Sequence, residues 1–184
     1  MVRHAALVAC ALALGACATV RSPAPEPSSQ AVADAPFDVS GRLSARRGSD
    51  GAAAHFDWTH VPGRDEIALA TPMGTTLARL SRDADGATLE RPDRPPERAR
   101  DAASLADRAL AFPLPVESLA WWIRAVPHPA SPHAVERDAL GRTTLLRQDG
   151  WSVSYAYTDG VPRPQRLVAT YPDLEVRVVI DAWR

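Results

Sequence analysis

Alternating polar and apolar positions predict two blocks of strands, one on each side of a helical segment. In the first block, FDVSGRLSA places Phe37, Val39, Gly41, Leu43 and Ala45 on one side and polar residues on the other. A period of two is typical of a strand with one buried and one solvent-exposed face. The same alternation predicts further strands in AHFDWTH, DEIALAT, TTLARLS and the shorter TLERP.

The middle of the chain has helical spacing instead. RDAASLADRALAF repeats its apolar residues every three to four positions, and Asp101, or Ser104 with Asp107, is the candidate N-cap. PVESLAWWIRAV repeats this spacing from Pro115, which suits a first helical turn, to Pro127. Strand patterns resume in TTLLRQ, WSVSYAY, PQRLVATY and LEVRVVIDAW. We expect a mainly antiparallel sheet, curled toward a barrel, with two or three helices on one face.

The N-terminus has the pattern of a bacterial lipoprotein signal. A short basic region precedes the apolar stretch 5–14, which is too short to span a bilayer. The sequence from Leu14 to Cys17 matches the lipobox, in which the Cys thiol is modified with diacylglycerol and becomes the new N-terminus. We therefore predict a signal peptide at residues 1–16 and a lipid anchor on Cys17, which two or three acyl chains would make stable. Ala18, in place of an Asp, favours the outer membrane over the inner one.

The remaining chain divides into a tether and one domain. Residues 17–36 contain mostly Ala, Pro, Ser and Glu, with few large apolar side chains, and are predicted to form a lipidated, flexible segment. Residues 37–184 suit a single domain. Because Cys10 lies in the predicted signal and Cys17 is alkylated, the mature domain has no thiol for a disulfide, a nucleophile or a metal site.

Charge and composition exclude several classes of function. The net charge is −1, so no basic surface indicates nucleic-acid binding. The chain contains no lysine, which excludes a Schiff-base lysine and a P-loop lysine. We therefore expect no cofactor and no nucleic-acid partner.

The histidines and acidic pairs do not form a recognisable catalytic or metal-binding motif. His55 and His60 should point to opposite faces of one strand, and His128 and His133 flank a proline-rich loop. We interpret these histidines as surface or loop residues, and the acidic pair Asp65–Glu66 as solvated charge at a turn. The sequence thus predicts no metal site and a protein that is not an enzyme.

The inward-facing positions of the strands carry several aromatic side chains. Such an interior can be packed solid, or it can enclose an apolar cavity for one ligand, and the pattern leaves both open. The side chains expected to face it are Phe37, Val39, Leu43, Phe56, Trp58, Leu69, Trp122, Trp151, Val153, Tyr155, Val176 and Val178.

The domain resembles the LolB family of outer-membrane lipoprotein receptors. The resemblance rests on FDVSGRLSAR, HFDWTH, LATPMGTTLARL, FPLPVESLAWWIRAVP, QDGWSVSY and VVIDAW, in this order over most of residues 37–183. Two positions depart from the family pattern. Met73 stands where Leu is usual, and Ala125 stands where a Gly often ends the helix. Without that Gly, the pattern does not define the residue at which the helix ends.

The resemblance implies both a fold and a function. The fold is an incomplete antiparallel β-barrel with a helical lid over an apolar cavity, which the inward-facing residues named above would line. The function is to take lipoproteins from the periplasmic carrier LolA and release them into the inner leaflet of the outer membrane. This needs binding of acyl chains but no covalent chemistry, and we expect a monomer whose partners are LolA, lipoprotein cargo and membrane lipid.

Met73, in the turn TPMGTT, is the residue to which the resemblance assigns membrane insertion. Isolated exposed apolar residues are common, so an ordinary turn is the alternative interpretation of this position. For the whole protein, the alternative is a lipid-anchored structural or envelope-interaction domain with a solid core and no lipid ligand. A third possibility is a soluble lipid chaperone whose lipobox is accidental.

Overall fold

A computed structural model describes residues 35–110 and 116–184. Within these ranges the chain forms two helices and eleven strands. The helices are α1 Ala102–Leu110 and α2 Val116–Trp122. The strands are β1 Phe37–Arg47, β2 Asp50–Val61, β3 Arg64–Ala70, β4 Thr76–Asp83, β5 Gly86–Arg91, β6 Arg94–Ala99, β7 His133–Arg137, β8 Thr143–Gln148, β9 Trp151–Ala156, β10 Arg166–Tyr171 and β11 Leu174–Trp183.

All eleven strands join one open antiparallel sheet, in the order β6-β5-β4-β3-β2-β1-β11-β10-β9-β8-β7. The two strand blocks meet in the middle of the sheet, where the first strand, β1, pairs with the last, β11. Successive strands within each block are hairpin neighbours. The mainly antiparallel architecture predicted from the sequence is therefore confirmed, with the helices contributed by the segment between the blocks.

The connections between neighbouring strands alternate between two rims of the sheet, because the strands are antiparallel. The N-terminal rim is the one where β1 begins. It carries the β2–β3, β4–β5 and β7–β8 turns and the β9–β10 connection. The distal rim carries the β1–β2, β3–β4, β5–β6, β8–β9 and β10–β11 turns.

The main core lies on one face of the sheet. Along β2, buried residues alternate with exposed ones as far as His60, as the sequence pattern predicts. On β1, Gly41 is required by close packing, since a Cβ there would lie 2.2 Å from the Val179 carbonyl oxygen and 2.8 Å from the Phe56 ring. The register of β1 against β11 also shifts at this point, between Ser40 and Gly41.

Hydrogen bonds define the start of α1 and the end of α2. The Asp101 carboxylate accepts a 2.7 Å hydrogen bond from the Ser104 backbone N–H, which confirms Asp101 as the N-cap of α1. After α2, the Val126 N–H bonds to the Trp121 carbonyl at 3.1 Å, and Ala125 has a φ of 60°. This is a Schellman motif, so Ala125 adopts the left-handed conformation that glycine usually supplies, and the helix ends without a glycine.

Two strands were not predicted from the sequence, and both are edge strands. β6 contains Pro95 and Pro96, which cannot donate to a neighbouring strand and are tolerated only at an edge or a bulge. β7 has one half-buried side chain, Val135, between exposed neighbours, so it lacks a strong hydrophobic alternation. The segment at His133, interpreted above as loop, is therefore the start of a strand.

Candidate functional site

The apolar residues predicted to face the interior form one continuous cluster on the inner face of the sheet. Eight of them are buried, whereas Leu43 and Leu69, like Val176 and Val178, are partly buried and pack against the others. This cluster contains side chains from both strand blocks and from α2. The buried members are Phe37, Val39, Phe56, Trp58, Trp122, Trp151, Val153 and Tyr155.

Helix α2 is joined to the sheet by a tryptophan and a glutamine. The Trp122 indole N–H donates a 2.8 Å hydrogen bond to the Gln148 side-chain oxygen, and its ring lies 6.2 Å from that of Trp151. The same Gln148 oxygen accepts from the His128 N–H, and its amide nitrogen donates to the His128 carbonyl. Gln148, which the sequence analysis missed, therefore fixes α2 and the segment after it over the inner face.

Tyr155 carries a polar atom into this apolar region. The residue is 8% exposed, and its hydroxyl has no hydrogen-bond partner among the described residues. Burial raises the pKa of Tyr155 far above its usual range, and the neighbouring Tyr157 adds to this shift. The hydroxyl is therefore neutral, with its hydrogen-bonding capacity unused by the described part of the chain.

At the N-terminal rim, the inner face contains a buried charged cluster. One Asp65 carboxylate oxygen accepts from the Trp58 indole N–H at 2.9 Å and lies 2.7 Å from His60 Nδ1. The other oxygen accepts from Arg82 Nε at 2.8 Å. The Phe37 ring stacks on the His60 imidazole at 4.8 Å. The interpretation of His60 as a surface residue and of Asp65 as solvated charge is therefore wrong, because cross-strand partners satisfy both groups.

The pKa of Asp65 reflects these contacts. Burial alone would raise it, but hydrogen bonds from His60, Arg82 and Trp58, together with the positive charge of Arg82, hold the pKa of Asp65 below its usual range. The groups around Asp65 are hydrogen-bond donors, which stabilise a carboxylate in its charged form.

In the described ranges, no group of three or more His, Cys, Asp and Glu side chains is arranged to hold a metal ion.

The turn with Met73 has a defined geometry on the distal rim. Gly74 N–H donates to the Thr71 carbonyl at 2.9 Å, and Thr75 N–H donates to the Thr71 hydroxyl at 3.1 Å. Pro72 and Met73 occupy the two central positions of this turn, and Gly74 has a φ of 85°. The Met73 side chain is 93% exposed, so the turn holds it out into solvent.

The lipid anchor and the apolar cavity stay predictions. Cys17 and its lipobox lie outside the described residues. Two shallow concavities, one beside Gln148 and Trp151 and one beside Arg100 and Arg108, are open to solvent. Neither is an enclosed apolar chamber, so the cavity stays a prediction. Within residues 35–110 and 116–184, neither helix has the length and apolar character needed to cross a bilayer.

A family model and individual relatives match this chain and agree on the same family. The family model described as outer membrane lipoprotein LolB matches residues 35–183. The outer-membrane lipoprotein LolB of Chromobacterium violaceum is 38% identical over 186 residues, covering 100% of both chains. The protein of the same name from Thiobacillus denitrificans is also 38% identical, over 184 residues, covering 100% of this chain and 98% of the relative.

Solved structures with a similar fold are much more distant in sequence. A LolA superfamily protein from Nitrosomonas europaea has a TM-score of 0.50 at 10% identity, covering 82% of this chain and 86% of that one. A DUF1329 family protein from Desulfovibrio piger has a TM-score of 0.52 at 7% identity, with coverages of 81% and 85%. At these identities the likeness concerns the fold alone.

Proposed function

The chain belongs to the LolB family of outer-membrane lipoproteins, and on this premise we propose how its described residues receive and deliver lipoprotein cargo. The protein is an outer-membrane lipoprotein that receives other lipoproteins and inserts them into the outer membrane. The observation that carries this conclusion is the family match over residues 35–183, joined to full-length similarity at 38% identity.

The apolar cluster on the inner face is the proposed binding site for cargo acyl chains. Burying acyl chains is worth about 0.8 kcal/mol per CH₂, so three long chains exposed to water would cost tens of kcal/mol. An apolar interior that accepts the chains removes this cost without any bond being made or broken. The cluster suits this role because it is continuous across the sheet from β2 to β8 and rich in aromatic rings.

Helix α2 is the proposed lid of this site. Its Trp122 ring packs among the buried side chains that acyl chains would contact, so cargo can enter only when α2 moves away from the sheet. Hydrophobic contacts are not directional, and acyl chains can replace those that Trp122 makes with the sheet. The chamber for cargo is therefore proposed to open as α2 is displaced.

The periplasmic carrier LolA is the proposed donor of cargo, and Cys17 the proposed anchor. No ATP hydrolysis drives transfer in this scheme. The direction of cargo transfer therefore comes from an affinity for acyl chains that increases from LolA to this receptor and then to the bilayer. Replacing Cys17 with Ala should leave a protein that separates from membranes and takes up no radioactive fatty acid. Label on the variant equal to that on the wild type would exclude Cys17 as the anchor.

Met73 is the proposed side chain for insertion into the bilayer. Its turn keeps it 93% exposed and apart from the apolar cluster, so substitution should not disturb the cargo site. Burial of a side chain of this size gains about 1.5–3 kcal/mol, equivalent to roughly 10- to 100-fold in a membrane-association equilibrium.

The test separates receiving from delivering. A labelled lipoprotein is followed first from LolA to the receptor and then from the receptor to liposomes, for wild type, Met73→Glu and the apolar control Met73→Leu. We expect Met73→Glu to receive cargo normally and to deliver it slowly, and Met73→Leu to match the wild type in both steps. Normal delivery by Met73→Glu would mean an ordinary turn, and failure to receive would place Met73 at the carrier contact.

A further inference from the structure

The turn after β7 repeats the geometry of the Met73 turn. Gly141 N–H donates to the Asp138 carbonyl at 2.9 Å, and Arg142 N–H donates to the Asp138 carboxylate at 2.9 Å. The corresponding bonds in the β3–β4 turn run from Gly74 and Thr75 to the backbone and side chain of Thr71. In each turn, one further bond joins the first and fifth residues, and the glycine has a positive φ, 78° at Gly141.

Leu140 occupies the position in this second turn that Met73 occupies in the first. It directly precedes the left-handed glycine and is 76% exposed. Of the described large apolar side chains, Met73 and Leu140 are by far the most exposed, since Val61 and Leu77 are only 41% and 42% exposed. The chain therefore builds the same turn twice, each time with a protruding apolar side chain.

The Leu140 turn is held by charged side chains. Arg142 forms a 2.8 Å ion pair with Asp138 and lies over the Tyr157 ring at 4.6 Å. Arg137 donates a 2.8 Å hydrogen bond to the Gly141 carbonyl, which places its positive charge at the base of the turn. An apolar tip with a cation beneath it matches the order of acyl and phosphate layers at a bilayer surface.

The two turns lie on opposite rims. The Met73 turn follows β3 on the distal rim, whereas the Leu140 turn follows β7 on the N-terminal rim. Strand β1 begins on the N-terminal rim at Phe37, and the chain leading to Cys17 joins the domain there. Leu140 is thus on the rim from which the lipid anchor is attached.

We propose that Leu140 is a second membrane-contacting side chain, which inserts into the bilayer that holds the lipid anchor and makes the receptor rest on its N-terminal rim. The proposal rests on the lipid-anchored function given above. In this resting orientation the distal rim, with Met73, faces the periplasm.

Delivery through Met73 then requires the domain to turn over on its anchor. The eleven residues of β1 span about 36 Å, which sets the approximate distance between the rims. Residues 18–36 can reach at most about 65 Å when fully extended. The length of chain between Cys17 and the domain therefore permits either rim to contact the same membrane.

Fluorescent probes on the lipidated full chain test the resting orientation. Single-cysteine variants Leu140→Cys, Met73→Cys and Ser154→Cys are labelled with an environment-sensitive dye, which reacts with one thiol because Cys17 is alkylated. Ser154 is an exposed residue of β9 and serves as the water-facing control. The proteins are reconstituted into phosphatidylethanolamine–phosphatidylglycerol liposomes that contain a nitroxide-labelled phospholipid.

We expect the lipid nitroxide to quench the probe at position 140 strongly, and those at positions 73 and 154 weakly, when no cargo is present. Equal quenching at 140 and 154 overturns the proposal. Strong quenching at 73 with weak quenching at 140 also overturns it, because the domain would then rest on its distal rim.

A second pair of variants tests whether the apolar side chain itself is needed. A probe on Ala139→Cys, an exposed neighbour in the same turn, is measured with Leu140→Glu and with the apolar control Leu140→Met. Loss of one buried apolar side chain should lower the ratio of membrane-resting to free domain about tenfold for Leu140→Glu. Unchanged quenching with Leu140→Glu would overturn the role of Leu140.

The outcome is distinguishable from failure of the proposed function. If cargo is neither received nor delivered while the probe at 140 is quenched, the resting contact stands and the transfer function fails. If transfer proceeds normally while the probe at 140 stays in water, the transfer function stands and this inference fails.

Discussion

The inner face of the sheet contains two buried regions that are stabilised in different ways. Around Trp122 and Trp151 the contacts are mainly apolar and aromatic, whereas around Asp65 they are charge-assisted hydrogen bonds from His60, Trp58 and Arg82. Apolar contacts are not directional, so acyl chains can take the place of protein side chains. A buried carboxylate needs its particular partners, and no acyl chain can replace them.

The difference suggests a division of roles along the same face. The region under α2 can exchange its own contacts for those of a ligand, while the charged cluster holds β2, β3 and β4 together at the N-terminal rim. Trp58 belongs to both regions, because its ring packs in the apolar cluster while its indole N–H donates to Asp65. Binding of cargo should therefore leave the charged cluster intact.

Substitution of Asp65 should have the largest effect on stability. Asp65→Asn removes the charge that faces Arg82, and we expect the free energy of unfolding to fall by about 3 kcal/mol. This is the lower end of the range for a broken buried ion pair, chosen because the Arg82 side chain is 30% exposed. Urea denaturation measures the change, with the exposed neighbour Glu66→Gln as the control. Equal stability of the two variants would contradict the role of the cluster.

The same cluster should make the free energy of unfolding depend on pH under acidic conditions. The folded-state pKa of Asp65 is held below its unfolded value of 3.8, so the carboxylate contributes its full stabilisation above that value. This contribution is lost as the pH falls through the lower folded-state pKa. The difference in unfolding free energy between wild type and Asp65→Asn should therefore shrink below pH ~4. A difference that stays constant from pH 7 to pH 3 would rule out this coupling.

Loosening α2 should have an intermediate effect. Gln148→Met nearly keeps the side-chain volume but leaves the Trp122 indole N–H and the His128 N–H without their acceptor, at a cost of about 1–3 kcal/mol. If α2 is the lid, the variant should also bind an apolar, environment-sensitive dye faster than the wild type. Slower or equal dye binding, measured alongside thermal unfolding, would contradict the lid.

Removing the buried hydroxyl of Tyr155 should have a smaller effect of the opposite sign. Because the hydroxyl lacks a partner among the described residues, Tyr155→Phe should raise the free energy of unfolding by about 1 kcal/mol. Tyr157→Phe is the matched control, since the Tyr157 hydroxyl donates to the Thr143 carbonyl at 2.8 Å and its removal should destabilise. Chemical denaturation of both variants checks the sign of each change.

The smallest expected effect is at the end of α2. Ala125 has a φ of 60°, which is strained for alanine and which glycine adopts freely. Replacing it with Gly relieves this strain but removes a buried methyl group. These terms nearly cancel, so Ala125→Gly should change stability by less than about 1 kcal/mol. Ala125→Val should destabilise clearly, since a β-branched residue tolerates a positive φ poorly. Similar melting temperatures for Ala125→Gly and Ala125→Val would contradict a left-handed backbone conformation at residue 125.

Much of the fold was predictable from the sequence because strand alternation is a local property. The positions of β1 and β2, the helical segment between the strand blocks and the turn at Met73 all follow from patterns a few residues long. The two edge strands escaped prediction because an edge needs neither a full set of backbone donors nor a strong apolar face. The Leu140 turn was missed, although its Asp-Ala-Leu-Gly sequence ends like the Thr-Pro-Met-Gly of the first turn.

The sequence by itself determined which side chains alternate toward the inner face, where the Met73 turn falls and which cysteine matches the lipobox pattern. Only the tertiary structure decided that His60, Asp65 and Arg82 are buried together, since they lie opposite one another only once β2, β3 and β4 pair in register. It also placed Met73 and Leu140 on opposite rims, because the direction of each strand depends on its neighbours. Periodicity depends on residues close in sequence, whereas burial of a charge and the rim of a turn depend on partners brought together by the sheet.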